Sequence, residues 1–273
     1  MSPPHRIALP DGPSLNVRLD GPEGAPVLFF SNSVLTDHTV WDAQAEAFSE
    51  SYRVIRYDQR GHGASDITDG PMDFSRYGAD VVSLLNALGI DRCTFIGLSM
   101  GVPTGLAAYA AAPERFERFV LVDGVSRSAP GREVFWGERR DTARDKGMEE
   151  IANSTAPRWM PGVDETTPAI IRLKAMVAAT PVEGFAAATH ALASYDLSNV
   201  VSNLRVPLLG ITGDKDGTMP EAVRKQFADV PGALFVGIAD AGHLPNFQNP
   251  NAFNTALSAF LEATAQDITK ETR

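Results

Sequence analysis

The chain is 273 residues long, enough for one large domain or for one core carrying an inserted subdomain. Hydrophobic residues make up 44% and charged residues 21%, a globular balance that argues against disorder, and no stretch approaches the ~20 apolar residues of a bilayer-spanning helix. The formal net charge of −10 disfavours nucleic-acid binding, because a phosphate backbone is held mainly by Lys and Arg. Residues 1–13 hold prolines and an aspartate but no apolar run of a signal peptide. Cys93 is the single cysteine, so no intrachain disulfide can form, and the composition points to a cytoplasmic protein.

Two short amphipathic stretches, residues 5–9 and 15–19, flank Pro10-Asp11-Gly12-Pro13 and predict an opening hairpin. Compact apolar runs follow at 26–30, 53–57, 93–97, 119–122, 207–212 and 234–238. Each is bounded by Gly, Pro, Asp or Asn, as buried parallel strands are. Between them the pattern predicts helices over 41–49, 77–88, 100–112, 220–227 and 250–264. Strand and helix in alternation imply an α/β fold: a mostly parallel eight-stranded sheet, hairpin included, with helices on both faces.

Residues 126–201 break the alternation. They hold no convincing strand, predict helices over 139–151, 168–179 and 181–193, and contain two of the three tryptophans. This segment reads as a helical cap inserted after the sixth strand, dividing the core into residues 1–125 and 202–273. Strand-like character resumes at Leu204-Arg205-Val206-Pro207, and the polar tail after Ala265 predicts fraying.

Gly97-Leu98-Ser99-Met100-Gly101 follows a strand-like run and precedes an Ala-rich helix, the context of a nucleophile elbow. The glycines relieve clashes in a sharp turn, and Ser99 stands near a helix N-terminus that favours developing negative charge. Where a sheet carries such an elbow, the partners follow in the order acid, then His. Of His5, His38, His62, His190 and His243, the first three precede the serine and His190 lies in the cap; His243 sits in a loop just after the last strand. Asp216, after the strand at 207–212, is the acid of choice. Asp214 and Asp123 are its rivals, each with a local backbone hydrogen bond as the ordinary reading. The acid orients the imidazole and stabilises the imidazolium. The oxyanion donors are the amides of Met100 and of Val34, in the loop Ser31-Asn32-Ser33-Val34. Arg60 and His62, within Asp58-Gln59-Arg60-Gly61-His62-Gly63, are expected to hold neighbouring loops together. No cluster has metal-ligand spacing and no Gly-rich loop cradles phosphate, so neither metal nor cofactor is called for.

These motifs together resemble the α/β-hydrolase superfamily over nearly the whole chain, and the resemblance narrows to 3-oxoadipate enol-lactonases. Ser31-Asn32-Ser33-Val34-Leu35-Thr36-Asp37 with Trp41-Asp42, Arg56-Tyr57-Asp58-Gln59-Arg60-Gly61-His62-Gly63-Ala64-Ser65 and His243-Leu244-Pro245-Asn246 are similar to that family's stretches. So are Phe135-Trp136 with Arg139, Arg158-Trp159, and Ala179-Thr180-Pro181-Val182-Glu183-Gly184-Phe185 in the cap. Three departures border the pocket: Val102-Pro103 stands where the elbow usually continues with glycine, Leu35 replaces a glycine, and Met160 replaces an aromatic.

The resemblance implies a serine hydrolase of small-molecule lactones or esters, opening 3-oxoadipate enol-lactone to 3-oxoadipate in aromatic catabolism. It also implies a substrate pocket with Trp136, Arg139 and Trp159, Arg139 being the cation for a substrate carboxylate. A broad carboxylesterase or cofactor-free perhydrolase is the second reading, since Ser99-Met100-Gly101 also resembles perhydrolase elbows. A ligand-binding protein without turnover is a reading of a different class.

Overall fold

The structure, a computed structural model, describes residues 4–271, with side chains described as far as Ala265. The chain opens with β1 (His5–Ala8), β2 (Ser14–Asp20) and β3 (Val27–Ser31), then a 3-10 turn, His38–Trp41, and α1 (Asp42–Phe48). Next come β4 (Arg53–Tyr57), α2 (Phe74–Ala87), β5 (Cys93–Leu98), α3 (Gly101–Ala111) and β6 (Phe116–Val122). Five helices follow: α4 (Arg132–Lys146), α5 (Met148–Trp159), α6 (Pro168–Ala179), α7 (Val182–Ala193) and the short α8 (Ser198–Val201). The chain returns through β7 (Leu208–Gly213), α9 (Met219–Phe227), β8 (Leu234–Ile238), α10 (Pro245–Gln248) and α11 (Pro250–Glu271).

The strands form one eight-stranded sheet in the order β1-β2-β4-β3-β5-β6-β7-β8. Only β1–β2 and β2–β4 pair antiparallel; the rest of the ladder is parallel. This is the fold class that the alternation of strand and helix implies. A parallel sheet must be covered on both faces, and side chains alternate accordingly. Leu28, Phe30, Val54, Ile96, Leu98, Val120 and Val122 join α1, α11 and the inserted helices in one apolar cluster. Phe29, Ile55, Phe95, Phe119 and Leu121 join α2, α3 and α9 in the other. Each such side chain contributes about 1.5–3 kcal/mol by leaving water. Among the described residues, no helix is long and apolar enough to cross a membrane.

Several boundaries differ from the sequence expectation. The helix expected over 139–151 is two helices, because Gly147 turns left-handed at φ 85° and separates α4 from α5. The helix expected from residue 77 begins at Phe74, where the Asp73 carboxylate accepts the Arg76 amide and caps the first turn. Residues 204–207 form no strand, and β6 starts at Phe116 rather than 119. The backbone of α11 runs past Ala265 to Glu271, where fraying was expected. Residues 1–3 of the leader reading lie outside the described residues.

The inserted helices pack α4 on α7 and α5 on α6. They meet the core so closely that a Cβ on Gly184 of α7 would lie 1.9 Å from the Gly61 carbonyl oxygen, so only glycine fits there. Arg172 of α6 reaches across to the Thr39 carbonyl at 2.7 Å and to Asp42 at 2.6 Å.

The loop after β4 is held by buried charge. Arg60 binds Asp80 of α2 and Asp11 of the hairpin turn. Asp58 accepts the amide and Nδ1 of His38 on one oxygen, each at 2.7 Å. Its other oxygen accepts Asn16 Nδ2 and the Ala64 amide. Asp37 lies near enough to form an Asp37–His38–Asp58 group, but with every Asp58 lone pair already engaged the group is a hydrogen-bonded knot. Burial opposes ionisation of Asp58. The bond and charge of His38 and the two amides outweigh it and hold the carboxyl below its usual range.

The sign of the pH effect follows from that lowering. Ionised Asp58 stabilises the fold above the ordinary carboxylate range, and the contribution is lost as pH falls through the lowered folded value. Asp58→Asn is expected to cost about 2–3 kcal/mol at neutral pH, with a shallower loss on acidification than wild type, both read from urea midpoints across pH. Equal midpoints at neutral pH would contradict this account.

Candidate active site

The turn after β5 is forced by close packing. A Cβ on Gly97 would lie 2.5 Å from the Gly101 carbonyl oxygen, and one on Gly101 would lie 2.4 Å from that of Ser31. Between them Ser99 takes φ 53°, a left-handed backbone rare for a side chain other than glycine. Its amide is pinned to the Val122 carbonyl at 2.7 Å, and the Val102 amide returns to the Ser99 carbonyl at 3.0 Å. Such strain is worth roughly 1–3 kcal/mol and persists only where surrounding bonds overdetermine it. The result is a serine lifted off the sheet edge and left partly accessible, while its neighbours Leu98 and Met100 are buried.

His243 comes from the loop between β8 and α10. Its Nε2 lies 2.9 Å from Ser99 Oγ, and its Nδ1 lies 2.7 Å from Asp216 Oδ2. The structure therefore brings Ser99, His243 and Asp216 into one chain of hydrogen bonds from the ends of β5, β8 and β7. Asp214 is elsewhere: its carboxylate lies over Gly237 of β8. Asp123 directly follows β6 and accepts the Gly213 amide. Burial raises the Asp216 carboxyl. The His243 charge and hydrogen bond, a bond from Asp123 and the Arg158 charge outweigh it, so the group is held below the usual carboxylate range.

Trp159, at the end of α5, is bound to the histidine rather than standing apart from it. Its carbonyl accepts the His243 amide at 2.8 Å and its ring lies 5.1 Å from the imidazole. Trp136 is buried on α4, edge-on to Phe135 at 5.0 Å and to Phe185 at 6.4 Å. The amides of Val34 and Met100 donate to no carbonyl or side chain among the described residues, and both residues are buried.

Arg139 is not a solitary cation. The guanidinium carbons of Arg132, Arg158 and Arg139 lie 4.2, 5.1 and 5.7 Å from the Phe135 ring centroid. Among the described residues none of the three pairs with a carboxylate; Arg139 donates to Thr155. Desolvation, then repulsion from Arg158 and Arg132, pushes Arg139 down to about 10. Desolvation, then repulsion from Arg158, lowers Arg132, and desolvation lowers Arg158. Sequence reasoning missed Arg132 and gave Arg158 no role. The spacing 132, 135, 139 on one helix face was a signal for the first; only the packing of α5 on α4 reveals the second.

The chain matches the Alpha/beta hydrolase family over residues 28–256. It is 34% identical over 251 residues to 3-oxoadipate enol-lactonase 2 of Acinetobacter baylyi, which spans 91% of this chain and 93% of that protein. The enol-lactonase from Burkholderia xenovorans LB400 matches with a TM-score of 0.88 and 32% identity, over 94% of this chain and 100% of that one. A thermophilic esterase from Thermogutta terrifontis matches with a TM-score of 0.89 and 28% identity, over 96% and 99% of the two chains.

The crowding at the turn makes its glycines testable. Gly97→Ala is expected to lower stability by about 1–3 kcal/mol and to slow labelling of Ser99 by a fluorophosphonate probe. Urea denaturation and the labelling rate read the two effects; unchanged labelling would show that the packing does not set the serine's position.

Proposed function

This chain belongs to the alpha/beta hydrolase family and is a carboxylic-ester hydrolase, and from that premise we propose that it opens a lactone through an acyl-enzyme on Ser99. The substrate class is a small lactone carrying a carboxylate, with 3-oxoadipate enol-lactone as the leading member, giving 3-oxoadipate in aromatic catabolism. The mechanism rests on the continuous chain Ser99 Oγ–His243 Nε2, His243 Nδ1–Asp216 Oδ2 at 2.9 and 2.7 Å. The substrate class rests on the likeness to named enol-lactonases and on three arginines around Phe135 in a chain of net charge −10.

Ser99 Oγ attacks the lactone carbonyl as His243 Nε2 takes its proton. The oxyanion is received by the amides of Met100 and Val34, each worth roughly 3–4 kcal/mol of transition-state stabilisation. The ring C–O bond breaks as the His243 imidazolium gives its proton to the departing enolate, which becomes a ketone, and the imidazole is neutral again. Water then gives a proton to His243 and attacks the acyl-enzyme carbonyl; as the acyl C–O bond breaks, His243 returns that proton to Ser99 Oγ and the second carboxyl group is freed. Asp216 stays ionised throughout and balances the imidazolium. Arg139, with Arg132 and Arg158, holds the substrate carboxylate, while Trp136 and Trp159 wall the pocket. A guanidinium raised in energy by its own neighbours gains more from an incoming anion than an isolated one does.

The test compares turnover of 3-oxoadipate enol-lactone with that of p-nitrophenyl acetate. Ser99→Ala is expected to lower kcat for both by at least about 10⁴-fold, and Asp216→Asn by about 10³–10⁴-fold. Arg139→Ala is expected to raise KM for the anionic lactone about tenfold or more and leave KM for the neutral ester unchanged. Fast ester hydrolysis with an inert lactone would move the assignment to a broad esterase, the reading that the likeness to the Thermogutta terrifontis enzyme favours. Binding without turnover of either would leave a ligand-binding protein.

A further inference from the structure

Asp123, the residue after β6, is in an unusual state. Its backbone has φ 40°, where a non-glycine residue is rarely found, and the residue is fully buried. Its amide donates to the Ile211 carbonyl at 3.0 Å, and its two carboxyl oxygens lie 3.1 and 3.2 Å from the Gly213 amide. The Asp216 amide returns to the carbonyl of that same Gly213 at 3.0 Å. The Asp123 carboxyl and the Asp216 backbone thus meet on one glycine at the sheet edge, which brings the two carboxyls within hydrogen-bonding reach of each other.

Two carboxylates cannot bond to each other without a proton, so one of them carries it. Asp216 already accepts from His243 and lies in the field of Arg158. Asp123 faces the opposite balance: the charged groups that bear on it are Asp216 and Asp214, with the Gly213 amide as its other donor. Burial, then the Asp216 charge, holds its carboxyl well above the usual range, so the proton resides there.

We propose that Asp123 is the positioning residue for Asp216: anchored on the Gly213 amide, its protonated carboxyl donates to the Asp216 carboxylate and keeps it turned toward His243. The arrangement leaves one negative charge, on Asp216, opposite the imidazole. As pH rises through its elevated value, Asp123 loses its proton, the bond becomes a like-charge contact, and Asp216 is pushed from its place. Activity therefore falls on the alkaline side for a reason that does not involve Ser99 or His243.

The proposal rests on the Ser99–His243–Asp216 reading, and its test separates the two. Asp123→Asn keeps a donor without an ionisable proton. It is expected to retain kcat/KM on p-nitrophenyl acetate within about threefold of wild type and to lose the alkaline decline. Asp123→Leu removes the donor and is expected to lower kcat by about 10–100-fold with KM unchanged. Infrared difference spectroscopy of resting wild type against Asp123→Asn should show a protonated-carboxyl C=O band that the variant lacks. No such band in wild type, an Asn variant as impaired as Asp216→Asn, or a Leu variant with wild-type rate and pH profile would each overturn the proposal. Fluorophosphonate labelling of wild type against Ser99→Ala tests the triad itself: an unlabelled Ser99 removes that reading, whereas the infrared band still decides where the proton sits.

Discussion

The backbone at Ser99 is the constraint on which the rest of the site depends. A serine at φ 53° cannot relax into the helix behind it or the strand before it, because the Val122 carbonyl holds its amide and two glycines let neighbouring chain segments close in. The strain is local, but what overdetermines it is not. It needs β5 flanked by β3 and β6, and the third strand's end lying against Gly101. The parallel sheet is thus the scaffold that keeps one residue's backbone out of its preferred conformation and its hydroxyl beside the histidine.

The other two members of the chain arrive by the same edge logic. Asp216 follows β7 and His243 lies in the loop after β8, and the Lys215 amide is bonded to the Ala241 carbonyl at 2.8 Å, so the two loops are tied together. The inserted helices close the arrangement from above, since the Trp159 carbonyl accepts the His243 amide. This ties the end of α5 to the backbone of His243. Electrostatics divides along the same line. The sheet edge presents the Asp216 carboxylate to His243, and the α4–α5 pair carries three guanidiniums.

What was legible in the sequence follows from how local each signal is. Gly97 and Gly101 announce the elbow because they flank Ser99 within five contiguous residues between a strand run and a helix run, and the order of Ser99, Asp216 and His243 follows from topology. The strand runs were legible because a buried parallel strand is apolar on both faces. The break at Gly147 was not, because helical periodicity continues on either side of it and only its left-handed backbone divides α4 from α5. Asp123 was readable only as a rival acid with a backbone bond, since its contact with Asp216 depends on neighbouring parallel strands ending at one level. The cluster about Phe135 was half visible: Arg132 and Arg139 share a helix face, but Arg158 joins them only through the fold.

The central claim is that an acyl group passes through Ser99. Rapid chemical quenching during the first turnover of 3-oxoadipate enol-lactone, followed by mass analysis of the intact protein and its peptides, tests it directly. The account predicts an enzyme heavier by one acyl group, with the added mass on the peptide that holds Ser99 and gone once substrate is exhausted. Rapid lactone opening with no covalent species at any quench time, or with the added mass on another residue, would contradict it.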